Sequence, residues 1–145
     1  MAGKVDVFEN DFLKLLFHGT AIANIADNAA SAPLTNLYLS LHTADPTDAA
    51  ASGQSTSETT YTGYARVAVA RTSGGWTVTG NSVSPVANIE FGPCTAGSAT
   101  VTHAGIGTAS SGTGKLLYIG AITPSIVVQN GVTPRLTPAT TITED

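Results

Sequence analysis

The apolar positions along the chain change period once, near residue 36. Ahead of that point they crowd one short segment. Phe12, Leu13, Leu15, Leu16 and Phe17 leave only Asp11, Lys14 and His18 polar, and those three recur at i, i+3 and i+7 on one helical face. Asn10 reads as the N-cap, Asp11 suits the positive end of the helix dipole, and Gly19 is placed to stop the helix. An amphipathic helix with so narrow a polar stripe is buried on most sides, against its own sheet or a neighbouring subunit. Residues 1–9 read as an arm packed by Val5, Val7 and Phe8, and a further helical turn is predicted around Ala21–Ala26 before a loop at Ser31-Ala32-Pro33.

From Leu37 the period is two. Leu37, Leu39 and Leu41 point one way and Tyr38, Ser40 and His42 the other, the pattern of a half-buried strand that ends at the turn pair Asp45-Pro46. Residues 47–60 are small, polar and aperiodic, which predicts an exposed loop. Strands then follow turns to the end of the chain. Ala65, Val67 and Val69 alternate with Arg66, Ala68 and Ala70, and Ser73-Gly74-Gly75 turns into Trp76–Thr79. Further strands are predicted over Asn88–Phe91, Ala99–Ile106, Lys115–Ile122, Ser125–Val128 and Val132–Leu136, separated by Gly, Pro, Ser or Asn clusters. Short strands at this spacing predict a mostly β fold, a jelly-roll-like sandwich or small barrel, with one short N-terminal amphipathic helix. The division expected is an arm and helix over residues 1–19 and a single β domain over 20–145.

Charge narrows the function. Charged residues make up 11% of the chain, well under the ~25% of ordinary globular proteins, as suits a surface that a partner covers. The net charge is −4 and the six basic residues are scattered from Lys4 to Arg135. That argues against nucleic acid, whose phosphates need clustered Lys and Arg. No apolar run reaches the length of a membrane helix, and no secretory leader pattern opens the chain. The single cysteine, Cys94, allows no internal disulfide and no CxxC-type zinc site, so the protein is expected to be made in a reducing cytoplasm or to be indifferent to redox state.

Candidate chemistry is sparse. His42 and Asp45 stand three residues apart at a strand end, with Ser40 on the same strand face as His42, the materials of a base, an orienting acid and a nucleophile. No GxSxG elbow accompanies them, and Asp45 before Pro46 is more simply a turn residue bonded to nearby amides. His18, His42 and His103 lie in three distant segments without ligand spacing, so no metal site is expected. Cys94 has no basic neighbour to activate it. Gly105-Ile106-Gly107 and Gly112-Thr113-Gly114 lack the rest of a phosphate loop and read as loop or hairpin glycines. A glycan hydrolase needs two facing carboxylates about 5–9.5 Å apart, and only Glu90 among the acids falls in a predicted strand. The expectation is a non-enzymatic protein with no catalytic residues and no cofactor. Aromatic and apolar residues then become the candidate partner-binding set: Phe8, Phe12, Leu13, Leu16 and Phe17 on the arm and helix, with Tyr61 and Tyr64 flanking Gly63 after the long loop.

The stretch Leu37-Tyr38-Leu39-Ser40-Leu41-His42-Thr43-Ala44-Asp45-Pro46, followed by Tyr61-Thr62-Gly63-Tyr64-Ala65-Arg66-Val67, resembles a motif of small tailed-bacteriophage virion proteins. The resemblance extends to Phe12–Gly19, to Thr102-His103-Ala104-Gly105-Ile106 and to Leu116-Leu117-Tyr118. It is nearest to the capsid cement, or decoration, proteins of short-tailed phages, whose relatives are often labelled tail-fibre proteins. It implies a jelly-roll-like fold, a place on the outer capsid surface and capsid stabilisation. The partners it implies are the major capsid protein and further copies of the chain, as a homodimer or homotrimer, with neither nucleic acid nor membrane. A tail-fibre or receptor-binding role is the alternative, although the chain has no coiled-coil heptads and no fibrous repeat.

Overall fold

The computed structural model describes residues 6–22, 33–47 and 53–144. It is mostly β with one short N-terminal helix, as the periodicity predicts. Helix α1 spans Asp6–Leu13 and continues as a five-residue π-helical turn, Lys14–His18. Among the described residues nine strands follow: β1 Asn36–His42, β2 Val67–Ala70, β3 Trp76–Thr79, β4 Ser82–Pro85, β5 Ile89–Glu90, β6 Ala99–Gly107, β7 Leu116–Val128, β8 Arg135–Leu136 and β9 Ile142–Thr143. They form sheets ordered β2-β1-β6-β7, β3-β4-β9 and β5-β8, and none closes into a barrel among the described residues. The β1–β6, β6–β7, β3–β4 and β4–β9 pairs are antiparallel.

Two compact units interleave along the chain. The first comprises residues 1–36, 69–89 and 136–145, the second residues 37–68 and 90–135. In the first unit the helix starts four residues before the expected cap. Asn10 is inside it, and its side-chain amide donates to the Gly80 carbonyl at 2.8 Å. The stop is where the sequence puts it: Gly19 adopts a left-handed φ of 67°, which glycine adopts without strain. Leu13 and Phe17, four residues apart on one face, are fully buried. Phe17 meets Trp76 edge to face with ring centroids 4.7 Å apart. The last turn leaves carbonyls without helical partners, and Arg71 takes two of them. Its Nε donates to Leu16 O at 2.6 Å and Nη2 to Leu15 O at 2.7 Å, while Nη1 reaches Leu34 O at 2.8 Å. A cation here also complements the negative end of the helix. The helical turn expected over Ala21–Ala26 falls mainly outside the described residues.

In the second unit β1 is central, and its observed burial differs from its sequence pattern. Leu37, Leu39 and Leu41 are buried as the alternation requires, but Ser40 and His42 on the opposite face are fully buried as well. The cover is the segment expected to be an exposed loop. Residues 53–60 fold back over β1: Thr43 N–H donates to Ser57 O and Thr59 N–H to Leu41 O, both at 2.9 Å. The two strands expected at Lys115–Ile122 and Ser125–Val128 are one bent strand, β7. Gly105 lies in β6, inside the strand predicted over Ala99–Ile106, and Gly107, read as a loop or hairpin glycine, extends that strand. Each is glycine because a side chain covers it. A Cβ at Gly105 would stand 2.8 Å from His42 Nε2, and one at Gly107 would overlap the Gln54 side chain. Gly63 and Gly92 allow two backbones to touch, since a Cβ at Gly63 would overlap the Pro93 carbonyl and one at Gly92 the Gly63 carbonyl.

Phe17→Ala removes a ring from a fully buried site and is expected to lower unfolding free energy by about 3–5 kcal/mol. Val7→Ala, at a position that is 72% exposed, is expected to change it by no more than about 0.5 kcal/mol. Urea unfolding of the two variants beside the parent measures both.

Candidate functional site

A dense polar cluster in the second unit surrounds Arg66. Its guanidinium carries five N–H donors, and each has an acceptor. Nε and Nη2 hold the two oxygens of Glu58, each at 2.7 Å. Nη2 also donates to Gly112 O at 2.6 Å, and Nη1 to Ala109 O at 2.9 Å and Gln54 Oε1 at 3.4 Å. The Arg66 side chain is 2% exposed and that of Glu58 15%, so the pair is well shielded from solvent. The Glu58 carboxylate holds Arg66 above its already high range. Tyr64 completes the group: its hydroxyl donates to Glu58 Oε1 at 2.7 Å and accepts the Leu41 amide at 3.1 Å. Burial, then the Glu58 bond, pushes that hydroxyl far above the usual tyrosine range. Gln54, fully buried, spans the cluster by donating to Tyr38 O at 2.8 Å and accepting the Ala109 amide at 3.1 Å.

The Ser40–His42 pair lies beside this cluster. Ser40 Oγ and His42 Nε2 are 2.9 Å apart, and His42 Nδ1 is 2.8 Å from Thr56 O. A carbonyl only accepts, so Nδ1 carries the proton and Nε2 accepts from the serine. Burial lowers the His42 pKa, partly offset by the Thr56 bond and Glu58, and the ring is neutral near pH 7. Asp45 is the turn residue its place before Pro46 predicts: it is exposed, and its Oδ1 accepts the Thr47 amide at 2.8 Å. Both Ser40 and His42 are at zero exposure. A serine and histidine closed off from solvent in this way form a core hydrogen bond and present no reacting surface. His103 stands opposite His42 across β1–β6, its Nε2 4.0 Å from Asp45 Oδ2, and His18 in the first unit donates to Trp76 O at 2.9 Å. Cys94 is buried with Sγ directed at the Ala96 and Gly97 carbonyls.

The candidate partner residues divide. The Phe8 side chain lies outside the described residues. Phe12 and Leu16 are half-buried, whereas Leu13 and Phe17 pack inside their own unit. Tyr61 is 5% exposed; it donates to Gly92 O at 2.9 Å and meets Tyr64 edge to face at 5.5 Å. Tyr64 in turn stacks on Phe91 at 6.2 Å. The two tyrosines therefore brace the turn after the covering segment. The sequence concealed Arg66 because its place in an alternating stretch reads as an outward strand position. The available signal was Glu58 eight residues earlier, an acid in a loop whose one other charged residue is Asp48.

The comparison with protein families turns on nearly the whole chain. Residues 4–143 match the family described as podophage GP4 fiber I protein gp80. The chain belongs to this family. It is accordingly a structural protein of a short-tailed bacteriophage virion. No curated protein matches it. In this family member the polar cluster has the features of a brace: every donor of Arg66 is committed, and the acceptors come from segments 54–58 and 109–112.

Arg66→Ala leaves Glu58 shielded and unpaired, and is expected to cost about 3–5 kcal/mol of stability. Arg66→Lys, which keeps the charge without the planar fork, is expected to lose most of that as well; urea unfolding of both variants checks this. His42 generates a pH effect of definite sign. Its folded pKa lies below the unfolded value of 6.5, so below pH 6.5 the unfolded chain binds the extra proton. Stability is full above pH 6.5 and falls as pH drops toward the folded pKa. His42→Asn, in which Asn can still donate to Thr56 O, is expected to flatten the melting temperature between about pH 6.5 and 5 relative to the parent.

Proposed function

We propose that the chain is a fibre-associated structural protein on the tail of a short-tailed phage, acting by protein–protein contact. The observation that carries this reading is the family match across residues 4–143, whose description is of a fibre protein. The low charge supports it, because interface cores are depleted in charge. Of six Lys and Arg residues, Arg66 and Arg71 bind inward, and Arg135 pairs with Glu90 at the surface at 2.8 Å. A braced fold of low charge suits a node repeated around an assembly, where many modest contacts add through avidity.

Capsid decoration is the second reading. It is favoured by the compact units and by the lack of a fibrous repeat along the chain. A cement protein would bind only the assembled shell and stabilise it by mass action, with the major capsid protein as its partner.

The two readings separate in one binding experiment. The purified protein is mixed with tailed particles lacking it and, in parallel, with tailless expanded capsids, and bound copies are counted after sedimentation. The fibre reading expects saturable binding to tailed particles and none to tailless capsids. Saturable binding to tailless capsids, with a higher capsid melting temperature, overturns it in favour of decoration.

A further inference from the structure

Asn130 is the one asparagine in the chain that is followed by glycine. That dipeptide modifies itself more readily than other asparagine pairs, because glycine has no side chain to shield its backbone nitrogen. The pair stands in an exposed turn just after β7. Val132 N–H donates to Gln129 O at 2.9 Å and closes the turn. Gly131 has a φ of 86° and Asn130 a negative one, the signs of a type II turn. A neighbouring stretch of backbone clasps it from the other side. Gly131 N–H donates to Cys94 O at 2.8 Å, and Cys94 N–H donates to Val132 O at 2.9 Å. Cys94 itself is buried.

We propose that Asn130 is a self-modification site that this turn keeps latent, and that conversion to isoaspartate leaves the turn open. In the reaction the Gly131 nitrogen, having lost its proton to solvent, attacks the Asn130 side-chain carbon Cγ. A C–N bond forms, the side-chain amide C–N bond breaks, and ammonia leaves behind a cyclic succinimide. Water then opens the ring at either carbonyl, giving aspartate or isoaspartate. The native turn opposes the first step in two ways. The attacking nitrogen has its proton committed to Cys94 O. In a type II turn the first central residue also holds ψ at about +120°, whereas ring closure needs a negative ψ that brings Cγ over the nitrogen. The reaction therefore waits for a local opening that breaks the turn and the Cys94 bonds together. Isoaspartate carries the chain through its side-chain carbon, which lengthens the backbone by one atom. A turn so lengthened no longer places Gly131 N–H on Cys94 O, and the clasp on Cys94 stays open. Each conversion also adds a negative charge to a chain already at −4.

The test compares the folded protein with the same chain unfolded in guanidinium chloride, both held at one mildly alkaline pH and one temperature. Trypsin releases residues 116–135, in which Asn130 is the sole asparagine, and mass spectrometry reads its conversion. Conversion in the folded protein is expected to be at least about tenfold slower than in the unfolded chain, since only the open fraction reacts. Equal rates in the two states overturn the proposal, as does an unfolded chain in which Asn130 fails to convert ahead of the other asparagines. The second readout is the Cys94 thiol. Chain converted while unfolded and then refolded is expected to react with a thiol reagent at least about tenfold faster than Asn130→Gln taken through the same cycle. A thiol equally slow in both overturns the claim that isoaspartate leaves the turn open.

Discussion

The second unit is organised around the Arg66–Glu58 pair. The acceptors of one guanidinium come from two stretches that form no continuous sheet: residues 54–58, which cover the polar face of β1, and residues 109–112 at the β6–β7 turn. Nothing in the periodicity of either stretch fixes its position, because both are small, polar and aperiodic. A planar fork with five directional donors does, and a flexible ammonium could not. Gln54, Tyr64 and His42 then tie this arrangement to β1: Gln54 donates to Tyr38 O, Tyr64 accepts the Leu41 amide, and His42 donates to Thr56 O in the held segment. A shielded ion pair adds little net stability but is costly to break, so its contribution here is chiefly to select one arrangement of two otherwise unspecified segments. Arg71 does related work in the first unit, where it binds the carbonyls that the π-helical turn exposes.

Much of the fold is visible in the sequence where burial follows a simple period. The apolar run Phe12–Phe17, the stop at Gly19 and the alternation of Leu37, Leu39 and Leu41 all have their expected structural counterparts. The errors arise where a tertiary contact overrides a local signal. Asn10 resembles a cap but serves Gly80, seventy residues away. Residues 53–60 have loop composition but lie over β1, because Gln54 bonds to Tyr38 and to the distant Ala109, and Glu58 to Arg66. Gly105 and Gly107 resemble loop glycines, yet they sit in a strand because His42 and Gln54 occupy the space where their side chains would be. Long-range polar pairing leaves no periodic trace, so a single sequence does not reveal it.

The candidate site followed the same division. Tyr61 and Tyr64 were singled out as aromatics beside a mobile-looking loop, and they prove to hold that segment down. Leu13 and Phe17 lie on the buried side of the helix, whereas Phe12 and Leu16 are half-buried. Ser40 and His42 come within hydrogen-bonding distance as their spacing allows, but inside the core. For contact with other proteins the chain offers few cations and many hydroxyls. That combination fits a virion component held by many neutral contacts.

The most direct test of this account is the position of the chain in the virion, read by electron cryomicroscopy of the intact phage at a resolution that traces strands. The account predicts density for this fold repeated around the tail. Density on the faces of the capsid shell would contradict the fibre reading, and a mature virion without this fold anywhere would contradict a structural role altogether.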